Sequence, residues 1–352
     1  MSEKVLIKGN EAVGAAMIAA GCKTFFAYPI TPQSEVPEYL ARELPKIGGT
    51  FLQAESEVAA INMLYGSAGT GTRVATSSSS PGVSLMQEGI SYIAASELPC
   101  MIVNMMRGGP GLGSIQPSQT DYFQSTRGGG NGDYRTITLA PASIQEMVNL
   151  IHLGFDLADK YRTPVILCGD GMLGQMMEPV EFEEHEVTTY DHSDWAAMGT
   201  KGEREPHIIN SLYLSPEELE AHNKKLIAKY KEISDKEKRV EVIDVEDADI
   251  VFTAFGTTSR ICRSAGDILK EKGYKVGFIR PITLWPFPSE AYEKINKDCK
   301  VILDVELNQG QMVEDVRLAV NGKLPVEFYG RQGGMIPSAE EIAEVALKLL
   351  EA

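Results

Sequence analysis

The sequence predicts an α/β protein: a parallel-sheet domain covered by helices, followed by a second α/β domain. Three observations predict this. Short apolar runs alternate with helix-length segments from Val5 to about Pro179, the pattern of a parallel sheet with crossover helices. The alternation lapses over 181–246 and resumes from Asp247. A chain of 352 residues, 43% of them apolar, is long enough to bury two cores.

In the first unit the strand candidates are 24–27, 73–77, 100–105, 136–139 and 164–168, each a short apolar run. The helices between them are 11–20, 58–66, 83–95 and 143–160. The stretch 181–246 is polar and charge-rich, carries His185, His192 and His207, and contains one helical run at 215–231. In the second unit, strands at 250–254, 275–279, 301–304 and 326–329 enclose helices at 259–272, 289–296 and 311–320, with a closing helix at 338–350. The expected division is 1–185, a linker with a helix at 186–245, and 246–352.

A formal charge of −16 argues against a nucleic-acid partner, because phosphate contacts need clustered Lys and Arg. Cys22, Cys100, Cys168, Cys262 and Cys299 are far apart and form no C-x-x-C pair, so neither a cluster nor a metal site is expected on this chain. Scattered cysteines in odd number fit a reducing cytoplasm. Neither a signal-peptide pattern nor a run near the roughly eighteen apolar residues of a membrane span is visible, so no membrane attachment is expected.

The residues that could carry chemistry sit where strands are expected to end. Tyr28-Pro29-Ile30-Thr31-Pro32 follows the strand candidate at 24–27, and its prolines force an extended turn at the carboxyl edge of the sheet, where open α/β sheets bind ligands. Thr31 lies between the prolines. Further on, Gln53-Ala54-Glu55-Ser56-Glu57-Val58-Ala59-Ala60 brings a carboxylate into a small-residue helix. Read alone, Ser56 is an N-cap and Glu57 a first-turn acid. Thr76-Ser77-Ser78-Ser79-Ser80-Pro81-Gly82 closes another strand, with Pro81 suited to a first helical turn. Arg107 ends the apolar run 101–106 ahead of Gly108-Gly109-Pro110-Gly111-Leu112-Gly113. An arginine there can clamp a carboxylate, and the glycines allow close approach.

Together the turn at Thr31 and the carboxylate at Glu57 resemble the α subunit of the 2-oxoacid:ferredoxin oxidoreductases, which are thiamine diphosphate enzymes. The likeness runs from Gly9-Asn10-Glu11-Ala12 to the second unit. There, 278–288 and Asp304-Val305-Glu306-Leu307-Asn308-Gln309-Gly310-Gln311 resemble a transketolase C-terminal domain. The resemblance implies a pyrimidine-type domain followed by a packing and assembly domain, in which Arg280 and Glu306 read as ion-pair or interface residues. It implies that Glu57 hydrogen-bonds the aminopyrimidine of the cofactor, with Glu55 a bystander. It implies that Tyr28, Pro29, Ile30, Ser80, Pro81 and Gly82 lie against the cofactor, and that Thr31 and Arg107 face the substrate's carboxylate.

Two look-alikes are set aside. The glycines at 108–113 open no helix, unlike a dinucleotide loop. Gly169-Asp170-Gly171 resembles the start of the magnesium–diphosphate motif, but no asparagine pair follows near Trp195, so it is read as a strand-end turn. The expected metal set of this chain is therefore none. The resemblance places the diphosphate, Mg²⁺ and [4Fe–4S] clusters on a β subunit, with small γ and ferredoxin-like δ subunits beside it in a dimer of heteromers. Coenzyme A and ferredoxin are the other reactants. Within the family the phrases at 53–62, 77–81 and 108–122 look most like the 2-oxoisovalerate (3-methyl-2-oxobutanoate, branched-chain) group, with the 2-oxoglutarate group as alternative. An inactive assembly scaffold is the reading from another class.

Overall fold

The computed structural model describes residues 4–182 and 187–351. The expected boundary at 185, and His185 with it, fall outside those residues. The first unit runs β1 (Val5–Lys8), α1 (Gly9–Ala19), β2 (Thr24–Ala27), α2 (Glu35–Glu43), β3 (Thr50–Gln53), α3 (Glu57–Ala68), β4 (Val74–Ser78), α4 (Ser80–Ala95) and β5 (Cys100–Met106). It continues through α5 (Tyr122–Thr126), β6 (Ile137–Leu139), α6 (Ile144–Tyr161), β7 (Pro164–Asp170), α7 (Gly171–Gln175) and β8 (Met177–Val180). Then follow α8 (Pro216–Lys236), β9 (Val240–Ile243), β10 (Ile250–Thr253), α9 (Thr258–Glu271), β11 (Val276–Pro281), β12 (Thr283–Trp285), β13 (Val301–Glu306), α10 (Met312–Val320), β14 (Val326–Gly330) and α11 (Ala339–Glu351).

The main sheet has the order β12-β6-β7-β5-β4-β2-β3. Its central strands β4, β5 and β7 are buried on both faces, which is why they read as continuous apolar runs rather than alternating ones. All pairings from β3 to β6 are parallel, so the carboxyl ends of β2, β4, β5 and β7 open on the same edge. The second sheet has the order β14-β13-β10-β11-β9, parallel except at β9.

The two sheets are tied together by residues the sequence pattern did not assign to that task. Thr283–Trp285, inside the C-terminal motif, pairs antiparallel with β6 as the edge strand of the first sheet. The end of the charged stretch forms β9 in the second. Arg280 makes a two-pronged ion pair with Glu146 of α6 at 2.9 and 3.0 Å and a third bond to Glu241 at 2.8 Å, the interface role expected for it. The helix at 215–231 is present and longer, capped by Ser215 Oγ accepting from Glu218 N. The expected helix at 289–296 is instead a 3₁₀ segment, Ser289–Lys294.

Candidate active site

The turn after β2 is held from below. Asn10, at the start of α1 and fully buried, donates from Nδ2 to Pro32 O at 2.7 Å, and Gln175 Nε2 donates to the same oxygen at 2.9 Å. With the Thr31–Pro32 peptide cis, Tyr28, Pro29 and Thr31 face outward and Ile30 is half-buried. The Thr31 hydroxyl has no hydrogen bond among the described residues, while its carbonyl receives Arg107 Nη1 at 2.8 Å.

Glu57 is the first residue of α3. Ser56 caps that helix, its Oγ accepting from Ala59 N at 3.1 Å, so the helix start needs nothing from the glutamate. The Glu57 side chain is 6% exposed, and its carboxylate has no hydrogen bond or ion pair among the described residues. The next residue gives it no cover, Val58 being 45% exposed. The burial comes from β4 and α4: a Cβ added at Gly82 would lie 2.1 Å from Ser78 Oγ and 2.6 Å from Glu57 Oε1. Only glycine lets the carboxylate sit there.

Unpaired polar atoms gather at this edge. Ser78 Oγ, Ser79 Oγ and Gln33 Nε2 are buried without partners, Gln33 Oε1 being taken by Ser77 Oγ. A buried donor or acceptor left unpaired costs about 1–3 kcal/mol, and such groups are expected to be satisfied. Of these, Ser78 Oγ lies beside Glu57, both bordering the space that a Cβ on Gly82 would fill. Ser80, by contrast, is fully used. Its N–H donates to Asn104 Oδ1 at 3.1 Å, its hydroxyl donates to Asp121, and the Arg107 N–H donates to that hydroxyl at 3.0 Å. Asn104 Nδ2 also donates to Asp121, at 2.9 Å. Burial pushes the Asp121 carboxyl up despite these bonds.

Arg107 is 6% exposed. Its terminal nitrogens donate to the carbonyls of Thr31 and Leu112, the latter at 3.0 Å, while Nε is buried without a partner. The guanidinium thus ties the Thr31 turn to the glycine loop and keeps donors uncommitted. A cavity of about 580 Å³ is lined by Ser80, Pro81, Thr120 and Asp121 of the first unit and by Gln309, Gln311 and Gln332 of the second, among others. A second, of about 660 Å³, lies along Thr31, Pro32 and Ile115. Among the described residues no Lys, Arg or His lines either. Gly169-Asp170-Gly171 is a strand-end turn as expected: β7 ends at Asp170, whose carboxylate caps α7 by accepting from Met172 N and Leu173 N and receives the Thr257 hydroxyl.

A family model described as pyruvate flavodoxin/ferredoxin oxidoreductase, thiamine diphosphate-binding, matches residues 15–242, and one for pyruvate:ferredoxin oxidoreductase core domain II matches residues 248–342. The chain belongs to the 2-oxoacid:ferredoxin oxidoreductase family. It is 48% identical to the ketoisovalerate oxidoreductase subunit VorB of Methanothermobacter marburgensis, over 96% of this chain and 95% of that protein. To the 2-oxoglutarate synthase subunit KorA of Archaeoglobus fulgidus it is 37% identical, over 89% and 91%. Among solved structures, the 2-oxoglutarate:ferredoxin oxidoreductase from Magnetococcus marinus, with 2-oxoglutarate, coenzyme A and succinyl-CoA bound, superposes with a TM-score of 0.88 at 31% identity. The match covers 99% of this chain and 66% of that one. A split-gene transketolase in an inactive β4 tetramer, at 14% identity and TM-score 0.61, shares the fold.

Of the predicted residues, Glu57, Ser80, Gly82 and Arg107 come together at one edge of the main sheet, and Thr31 meets Arg107 through its backbone. Sequence reasoning missed Gln33, Asn104 and Asp121. Asn104 carried a signal, being the lone amide in an apolar strand; Gln33 and Asp121 carried none beyond proximity to the motifs. Tyr122, next to Asp121, is fully buried, its hydroxyl donating to Asp315 at 2.6 Å.

Proposed function

We propose that this chain is the α subunit of a branched-chain 2-oxoacid:ferredoxin oxidoreductase, supplying the pyrimidine-facing half of a shared thiamine diphosphate site. The reaction joins a 2-oxoacid, coenzyme A and two oxidised ferredoxins to give acyl-CoA, carbon dioxide, two reduced ferredoxins and a proton. The observation that carries the reading is Glu57, 6% exposed, with its carboxylate packed against Gly82 and without a hydrogen-bond partner among the described residues.

Thiamine diphosphate supplies the nucleophilic carbon and electron sink that decarboxylation of a 2-oxoacid needs. The residues fit it. Glu57 would share a proton with the ring nitrogen of the aminopyrimidine, a role suited to a carboxyl shielded from water. The hydroxyls of Ser78 and Ser79 and the amide of Gln33 offer the remaining polar contacts, and Tyr28, Pro29, Ile30 and Pro81 the apolar ones. Arg107 would orient the 2-oxoacid by its carboxylate through the donors it has left, with the Thr31 hydroxyl beside it. Glu57 holds and moves the proton; Arg107 positions; Gly82 keeps the space.

The relatives are named as subunits, which supports a heteromeric complex. In it a β subunit would hold the diphosphate, Mg²⁺ and [4Fe–4S] clusters, with γ and ferredoxin-like δ subunits, assembled as a dimer of heteromers. Five cysteines, all free and buried, fit a cytoplasmic location.

Specificity rests on charge. A 2-oxoglutarate enzyme must pair a second carboxylate, because burying a lone charge is costly. Among the described residues neither cavity has a lining cation, so Arg107, which lines neither, is the one buried cation at this edge and is committed to the first carboxylate on this reading. Arg127 is paired with Asp315 at 2.9 Å, and Arg135 is exposed, donating to its neighbour's carbonyl. Both facts favour 2-oxoisovalerate and related acids. The alternative, 2-oxoglutarate, is favoured by the KorA and Magnetococcus matches and would need a cation from a partner subunit. The test is kcat/KM of the full complex on both acids without oxygen. An excess of tenfold or more for 2-oxoglutarate would reverse the assignment.

A further inference from the structure

The second unit was expected to serve packing alone, yet its 304–311 motif grips the segment that carries Arg107. Gln119 is fully buried, and every polar atom it has is used, always toward the second unit. Its N–H donates to Leu307 O at 3.1 Å, and Leu307 N returns a bond to Gln119 Oε1 at 3.0 Å. Thr258 Oγ1 donates to the same Oε1 at 2.8 Å. Gln119 Nε2 donates to Phe255 O, and Asn308 Nδ2 donates to Gln119 O, each at 2.8 Å. On either side, Ser118 Oγ donates to Leu307 O at 3.1 Å, and Gln311 spans Thr120 O and Phe123 N, both at 2.8 Å.

The gripping residues are themselves fixed. Glu306 accepts from Asn308 Nδ2 and from the N–H groups of Gln311, Met312 and Val313, at 2.7 to 3.1 Å. From the gripped segment the path to the arginine is short. Arg107 bridges to Pro117, and its N–H donates to Ser80 Oγ at 3.0 Å. The second unit also touches the loop directly: a Cβ on Gly334 would lie 2.2 Å from Gln116 Cβ, and one on Gly108 would lie 3.2 Å from Gly333 C.

We propose that Gln119, with Gln311 as its outer support, is a positioning residue: it fixes the segment 107–122 on the second unit and thereby sets the distance from Arg107 to the 2-oxoacid. The inference rests on the substrate role given to Arg107 above. Gln119 touches no reactant. It acts by holding the backbone on which Arg107 is mounted, and misplacement of a positioning group by about 1 Å can cost up to 10²-fold.

The experiment uses the complete complex carrying Gln119→Met or Gln311→Met. Each should raise KM for the 2-oxoacid by about five- to tenfold, the effect of losing one or two neutral hydrogen bonds. KM for coenzyme A and for ferredoxin should stay fixed. Amide hydrogen exchange should quicken within 108–117 and stay unchanged in β4 and β5. Loss confined to kcat, with all KM values and the exchange of 108–117 as in the parent, would overturn the proposal, since a merely structural role lowers only the amount of active enzyme. If Gln119→Met does not assemble, Gln311→Met, at the edge of the contact, decides by the same readouts. Arg107→Met run in parallel separates the two levels. If it leaves the 2-oxoacid KM unmoved, the substrate role of Arg107 fails; if it raises KM while both glutamine variants do not, the positioning role fails.

Discussion

Two buried glutamates stand at the carboxyl edges of the two sheets and differ in one respect. Glu306, at the end of β13, is fully buried and receives four hydrogen bonds, three of them from backbone N–H groups opening α10. Glu57, past the end of β3, is 6% exposed and receives none from the described residues. A carboxylate that the fold itself satisfies is an anchor. Glu57 keeps both carboxylate oxygens uncommitted among the described residues, and the cofactor role proposed for it rests on that difference. On the proposed reading the labour is divided: the first sheet's edge would offer chemistry, and the second sheet's edge would hold the loops that deliver it.

The largest expected effect follows from Glu57. Glu57→Gln should assemble normally and lose about 10²–10⁴-fold in turnover, the usual worth of a positioned acid–base group. C2–H exchange of thiamine diphosphate in the reconstituted complex measures it directly; a wild-type rate would sink the assignment. Glu55, exposed two residues earlier, is the internal control, and Glu55→Gln should be mild. Arg107→Met comes next. It deletes a buried cation and frees the carbonyls of Thr31 and Leu112. Truncating a buried charge partner costs on the order of 2–5 kcal/mol, so the 2-oxoacid KM should rise steeply with coenzyme A affinity unchanged.

The anchor should behave in the opposite way. Glu306→Gln is expected to lower stability by about 1.5–3 kcal/mol, the worth of a hydrogen bond to a charged group, and to leave C2–H exchange per folded complex untouched. Urea unfolding beside the exchange assay tests both halves. A smaller, pH-dependent effect belongs to Asp304, two residues earlier and fully buried, with neither oxygen paired. Burial, and then the Glu306 charge, push its carboxyl well above the ordinary value of 3.8. A folded-state value raised above the unfolded one means that its stabilising share is complete below the unfolded value and is lost as pH rises through the folded one. Asp304→Asn should therefore flatten the decline of stability between acid and neutral pH. Equal declines in parent and variant would assign the titration elsewhere.

The sequence carried the fold at its centre and lost it at its margins. β4, β5 and β7 are buried on both faces and so appear as apolar runs. β1, β3 and β9 are half-buried or exposed edge strands with weak patterns. β12 escaped because its three residues pair with β6, more than a hundred positions away, a contact no local pattern encodes. The site divided likewise. Pro81 at a helix start and Asp170 at a strand-end turn were local and legible. The Arg107 carbonyl contacts and the Gln119 grip were not, because each joins segments distant in the chain. The packing of Glu57 against Gly82 on the next helix was equally out of reach of any local pattern.

Thr31 sharpens the comparison at its small end. Its contribution divides between a carbonyl that receives Arg107 and a hydroxyl without a partner among the described residues. Thr31→Val keeps the carbonyl, the shape and the following proline, and removes only the hydroxyl. If the turn matters mainly because it seats Arg107, the 2-oxoacid KM should change little. If the hydroxyl also meets the substrate, the loss should be that of one neutral hydrogen bond, ~0.5–1.5 kcal/mol, or at most about tenfold. The double variant Thr31→Val/Arg107→Met separates these outcomes, since residues acting on one substrate group combine non-additively. Additive effects on KM would mean that Thr31 and Arg107 hold different parts of the substrate. A KM shift as large for Thr31→Val as for Arg107→Met would place the main recognition on the turn rather than on the arginine.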